Sequence, residues 1–272
     1  MAVSIRALPG RTAFLASVGF AYLIILAPLI AVFWVSFFRN KIIAFPPQGY
    51  TLAWFANAWS LDDFRNGFVL SLEVGIIATL GSLLIGVPAA LALARHDFRG
   101  REAISAALMS PLIVPGIVAG TAVYMFYIEI ETWTDVQLAA TLPGLCLAHV
   151  VLALPWTVRL VTASLIGVNR LVEEAAMTLG AGPVKTLWRV TLPMIRPAIV
   201  AGGLFSFVVS FVDLEKSLFL VGPGRTTLPI AIINYLEWSI DPTIAAVATI
   251  QILIISAALL LTDRFVRLSR VF

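Results

Sequence analysis

Long apolar runs separated by short charged loops dominate the chain. Six segments are mostly apolar, at roughly 13–38, 67–94, 103–128, 138–160, 197–221 and 243–262. A hydrocarbon layer about 30 Å thick is crossed by about 20 residues of helix, so each segment is long enough to span it. A lone strand would leave its backbone groups unpaired in lipid, and helix is the expectation for all six. The first run is uncharged from Thr12 to Phe38. That exceeds a signal-peptide core of about 7–15 residues, so it reads as a retained first helix. Pro28, Pro88, Pro111, Pro115 and Pro155 fall inside the runs, where neighbouring helices can satisfy the carbonyls that a proline kink frees. Gly116 and Gly120, four apart, and Ala89, Ala90 and Ala94 offer faces for close helix packing.

Charge orients the spans. Basic residues accumulate in cytoplasmic loops. With the N-terminus inside, Arg6, Arg11, Arg95, Arg99, Arg101, Arg159, Arg170, Lys185, Arg189, Arg196, Arg264, Arg267 and Arg270 all fall inside. Arg39, Lys41, Arg65 and Arg225 fall outside, beside Asp62, Asp63, Glu129, Glu131, Asp135, Glu237 and Asp241. Both termini are therefore expected in the cytoplasm. Composition agrees: 60% of the 272 residues are hydrophobic, 12% are charged, and the mean hydropathy is +1.00. So few charges cannot coat a soluble surface of this size. The net charge of +3 lies in short loops rather than on one basic face, which argues against nucleic acid as a partner. The single cysteine, Cys146, excludes a disulfide within the chain, and no Cys/His zinc spacing is present.

The most distinctive loop lies between the fourth and fifth spans, at 169–196. Asn169 can cap a helix start, with Glu173 and Glu174 near its first turn, where the helix dipole favours negative charge. Ala175, Ala176 and Leu179 give it an apolar side. Gly180 and Gly182 then break it, and Pro183 can open a second short helix carrying Leu187, Trp188 and Leu192. A helix–glycine–helix elbow of this kind can dock into another protein's cleft.

This loop resembles the "EAA" coupling motif of permease subunits in binding-protein-dependent ABC importers. The match is Glu174, Ala175, Ala176, Gly180, Val190, Leu192 and Pro193, with Val190 where the family has isoleucine. Ser206–Ile230 also resembles the second permease subunit of the spermidine/putrescine type, although Phe-Val-Asp replaces Phe-Asp. The resemblance implies an all-α membrane protein with the type I ABC importer permease fold, N-in and C-in. It implies a single transmembrane domain over 1–272 in the bacterial inner membrane. The loop at 169–196 would be its coupling helix, with Glu173 beside the motif and Glu174 bonding at the groove of an ATPase. The implied partners are a second homologous permease, two ATP-binding subunits and a periplasmic or lipid-anchored substrate-binding protein. ATP and magnesium would sit on the partner ATPases, with no cofactor on this chain. The implied cargo is a polyamine or similar amine-bearing solute; an amino-acid derivative or opine is the alternative within the class.

Ionisable groups within spans are candidates for the path, because exposing them to lipid is costly. These are Glu73 in the second span and Asp213, Glu215 and Lys216 in the fifth. On a helix, Asp213 and Lys216 share a face and can simply pair, whereas Glu215 points elsewhere. Tyr124, Phe126, Tyr127, Phe211 and Phe219 lie at similar depth and can offer cation–π faces or packing. His149 is expected to bond a neighbouring helix and His96 to be solvated. The run Gly180–Thr186 lacks the glycine before Lys185 that a phosphate loop needs and follows no strand. An ion-driven transporter would account for the charges in the spans but not for the loop. An intramembrane enzyme would need a nucleophile–base pair or metal cluster that the sequence does not offer.

Overall fold

The computed structural model describes the backbone of residues 8–266, so Arg6, Arg267 and Arg270 lie outside the described residues. Among these residues the chain is helical, with one isolated antiparallel bridge between Phe38 and Tyr50. The helices are α1 (Leu8–Val35), α2 (Ala53–Ser60), α3 (Asp62–Arg95), α4 (Arg101–Met109), α5 (Gly116–Thr134), α6 (Leu142–Gly167) and α7 (Arg170–Thr178). They continue with α8 (Pro183–Thr186), α9 (Leu192–Phe211), α10 (Ser217–Leu220), α11 (Leu228–Trp238) and α12 (Thr243–Val266). Residue contacts divide the chain into two units. One takes the chain up to Leu61 with Tyr235–Leu253; the other takes Asp62–Asn234 with the chain from Ile254.

Among the described residues five helical segments are long and apolar enough to cross a membrane: 11–35, 62–95, 142–167, 183–211 and 243–264. The third expected span, 103–128, is not one straight helix. A short 3-10 turn (Ser110–Leu112) follows α4, and the two arms, 101–112 and 116–134, meet at 109°. Pro115 caps α5 with an extended backbone, φ −54° and ψ 136°. Proline keeps φ near −65° and has no N–H to donate, and the residue before it is pushed out of helical geometry. Two prolines within five residues therefore break the helix rather than kink it. The fifth expected span, 197–221, is also interrupted. Helix α9 stops at Phe211, and five residues separate it from α10.

In the first unit, Trp54 Nε1 donates to Phe38 O at 2.6 Å and Trp34 Nε1 to Tyr50 OH at 3.2 Å, so aromatic side chains close the loop between α1 and α2. Asn57 donates to Thr243 Oγ1 at 2.9 Å. In the second unit, α3, α6 and α9 pack most extensively. A hydroxyl ladder crosses them: Ser82 Oγ and Thr157 Oγ1 are 3.2 Å apart, and Thr157 Oγ1 and Ser206 Oγ are 3.0 Å apart. Ser206 also donates to Ala153 O at 3.1 Å. Gly202 allows this approach, since a Cβ there would lie 3.1 Å from Thr157 Cα. Apolar packing surrounds the ladder, with Val74, Leu145, Ala148 and Leu220 in one cluster and Ala90, Val161, Leu165 and Ile195 in another.

Candidate functional site

The elbow forms as its residues dictate. Asn169 Oδ1 accepts from Leu171 N at 3.0 Å and starts α7. At the other end Gly180 has φ +88°, a left-handed conformation that costs a side-chain-bearing residue. Gly180 N bonds Met177 O at 2.9 Å and Ala181 N bonds Ala176 O at 3.0 Å, the paired closure of a Schellman turn. Gly182 has φ −69° and serves instead as the extended cap before Pro183. A wide five-residue π turn, Leu187–Thr191, then leads into α9.

The adjacent acids divide. Glu173 Oε1 accepts from Arg95 Nη2 at 3.1 Å and from Thr191 Oγ1 at 2.8 Å, with its side chain 14% exposed. Arg170 donates to Arg95 O at 2.8 Å and reaches Ala94 O at 3.4 Å, so it closes the end of α3. The elbow is thereby fixed to α3 and to the approach of α9. Glu174 and Ala175 face outward, Ala176 is half-buried, and Val190 and Leu192 turn partly inward while Pro193 is exposed. Leu171, Leu179, Val184 and Trp188 are all more than half exposed, Leu179 at 89%. The elbow thus presents an apolar ridge beside a free carboxylate.

The second locus is the gap between α9 and α10. The expected Asp213–Lys216 pair exists, with Nζ 3.3 Å from Oδ1, but on a break rather than on a helix face. Asp213 Oδ2 accepts from Lys216 N and Ser217 N, each at 3.1 Å, and so caps α10. His149 is fully buried and bonds two neighbouring segments, Ser210 Oγ at 2.7 Å and Ser217 Oγ at 3.1 Å. Glu215 remains exposed, and its carboxylate occupies the space a Cβ on Gly116 would need. One turn on, a Cβ at Gly120 would lie 2.9 Å from Phe219. The Gly116–Gly120 face therefore seats residues 215–219, and Tyr124 continues that row. The break in one span lies against the break in another. Glu73 is exposed on α3 and takes part in no hydrogen bond or ion pair among the described residues. His96 is exposed, as expected.

Arg95, Arg170, Thr191, Ser210 and Ser217 complete these two loci and were not singled out by the sequence. Each is an ordinary loop or helix residue until the fold supplies its distant partner. Among the described residues no group of three His, Cys, Asp or Glu side chains is placed to hold a metal.

The putrescine transport system permease protein PotI of Escherichia coli (strain K12) is 30% identical over 233 residues, 85% of this chain and 82% of that protein. The spermidine/putrescine transport system permease protein PotC of Haemophilus influenzae is 29% identical over 257 residues, 94% of this chain and 96% of that one. A chain of a bacterial ABC transporter involved in the import of the acidic polysaccharide alginate superposes with a TM-score of 0.72, at 16% identity, covering 97% of this chain and 98% of its own. The match to the model of the binding-protein-dependent transport system inner membrane component extends over residues 82–270, from the middle of α3 through the elbow and both breaks, and the chain belongs to that family of multi-pass, non-catalytic transport subunits.

Proposed function

We propose that this chain is the permease subunit of an ATP-driven importer, passing a small amine-bearing solute, a polyamine foremost, from a binding protein into the cytoplasm. It acts as a single transmembrane domain over 1–272 in the bacterial inner membrane, with six spans and both termini inside. A second homologous permease completes the pathway, and two ATPase subunits carry ATP and magnesium. The elbow carries this reading: Glu173 is spent on anchoring, while Glu174 and the apolar ridge of Leu179, Val184 and Trp188 are left for a partner. Force from the ATPase would enter through Gly180, Val190, Leu192 and Pro193 and pass directly to α3 and α9. An ion-driven transporter has no use for such a docking surface.

The cargo assignment rests on the relatives' polyamine cargoes and on Glu73, Asp213, Glu215 and Tyr124. Asp213 is neutralised by Lys216, so Glu215 is the carboxylate we assign to contact a passing ammonium group. Affinity is left to the binding protein, because a permease that held its cargo tightly would not release it.

Two measurements test the reading. Cysteines at positions 99 and 185 should react only with reagents that reach the cytoplasm, and one at 135 only from outside; labelling of 185 from outside overturns the orientation. The tagged chain should co-purify with an ATPase subunit, and Glu174→Arg should break that association while leaving membrane abundance unchanged. Wild-type association in that variant would remove Glu174 from the docking surface.

A further inference from the structure

A cavity of about 1220 Å³ opens where α4 splays from α6, at the end of the bundle that carries the elbow. It belongs to neither locus above. Leu93, Phe98, Met109, Val158 and Ile166 give it an apolar side, and Arg101 and Arg159 line it together with the acids Asp97 and Glu102. Arg101 is paired with Asp97 at 2.8 Å. Arg159 makes no hydrogen bond or ion pair among the described residues and is exposed. The hydroxyl oxygen of Thr162, one turn on along the same face of α6, is buried without a partner.

The sequence placed Arg159 at the inner edge of a span. Instead α6 continues to Gly167, two turns beyond it. Helix α6 has 26 residues, about 39 Å, so when it is centred on a hydrocarbon layer about 30 Å thick Arg159 is rooted inside that layer and its long side chain reaches toward headgroup depth. A guanidinium brought to headgroup depth is stabilised where an anionic headgroup meets it. The anion that a bilayer supplies at this depth, joined to an apolar chain that would cover such walls, is a phospholipid phosphate. The volume exceeds that of ordinary small-ligand pockets, about 300–1,000 Å³, and suits a headgroup with part of an acyl chain.

We infer that the cavity between α4 and α6 is a binding site for an anionic phospholipid, its phosphate held by Arg159 and its acyl chain lying on Phe98, Met109 and Ile166. A lipid there fills the space beside the bent α4–α5 span and ties its free arm to α6. The inference needs only that these helices cross a bilayer. It is independent of the cargo and of which end faces the cytoplasm.

The test is native mass spectrometry of the full chain, purified with its partner subunits and offered phosphatidylglycerol or phosphatidylcholine. The intact protein should retain phosphatidylglycerol in preference to phosphatidylcholine, and excess inorganic phosphate should not displace it. Arg159→Gln should weaken retention about five-fold, the contribution of one arginine near an anionic headgroup, and Arg159→Lys should keep most of it. Ile166→Trp, which fills the cavity and leaves every charge in place, should also expel the lipid. Equal retention in Arg159→Gln, or equal binding of phosphatidylcholine, overturns the site. Displacement by inorganic phosphate overturns it as well. So does cross-linking of a cysteine at 159 to the second permease subunit in place of lipid loss, because the guanidinium's partner is then protein.

Discussion

The elbow and the α9–α10 break carry similar acids arranged over different ranges. Each has two acids close in sequence, one tied down and one exposed. At the elbow, Glu173 is held by Arg95, a residue 78 positions away, and Glu174 is free. At the break, Asp213 is held by Lys216, three residues on, and by the first N–H groups of α10, and Glu215 is free. A long-range anchor joins separate helices, so its loss disconnects them. A local anchor shapes one turn, so its loss deforms that turn while the rest of the bundle stays joined.

Glu173→Gln should give the largest effect, since it leaves the largely buried Arg95 without a counter-charge. Breaking one side of a buried pair costs about 3–5 kcal/mol. Uptake should be abolished and the loop at 169–196 should become sensitive to protease, and Arg95→Gln should do the same. Unchanged protease resistance in both would dissolve the contrast between the two anchors. Next, Gly180→Val forces a branched residue into the left-handed region, where even ordinary residues lose about 1–2 kcal/mol. The subunit should reach the membrane but lose most transport, measured as uptake per molecule of chain. Asp213→Asn removes the charge facing Lys216 while keeping an oxygen to cap α10. Membrane abundance should fall about two- to five-fold, within the effect of one lost charge-assisted bond; normal abundance with altered cargo preference would move Asp213 from anchor to pathway. The smallest effect is expected at Glu215→Gln, with uptake of a cationic solute down several-fold at normal abundance. Wild-type uptake there would take Glu215 out of the path.

The parts of both loci that depend on neighbours in sequence were legible. Asn169 as a cap, Gly180 as a helix stop and Pro183 as a start are local backbone requirements, and each residue type has few other uses in such a loop. The Gly116–Gly120 spacing likewise marked a close-packed face, though not what would lie on it. The two breaks were not read, for different reasons. Apolar residues run on across Ile113–Val114 where the helix has already ended, whereas past Phe211 the charges of Asp213, Glu215 and Lys216 read equally as functional groups within a span and as its break. The available signals were Pro111 with Pro115, and an aspartate followed by the Ser217 turn in an apolar run. Glu173–Arg95 could not have been read at all. Either residue alone is an ordinary charge near a helix end, and only the packing of α3 against the elbow joins them.

The wide turn at Leu187–Thr191 has a consequence for how the chain can vary. It holds one residue more than an ordinary helical turn, and it sits between the elbow and α9. Deleting a single residue there would let the segment relax to regular helix, and everything before it would swing about 100° around the α9 axis. Thr191 would leave Glu173, and the face bearing Leu179 and Trp188 would turn relative to α9. The stretch is therefore constrained in length as well as at Thr191, whose hydroxyl bonds Glu173. The count of residues between Gly180 and Pro193 thus sets the rotational phase of the elbow about the α9 axis.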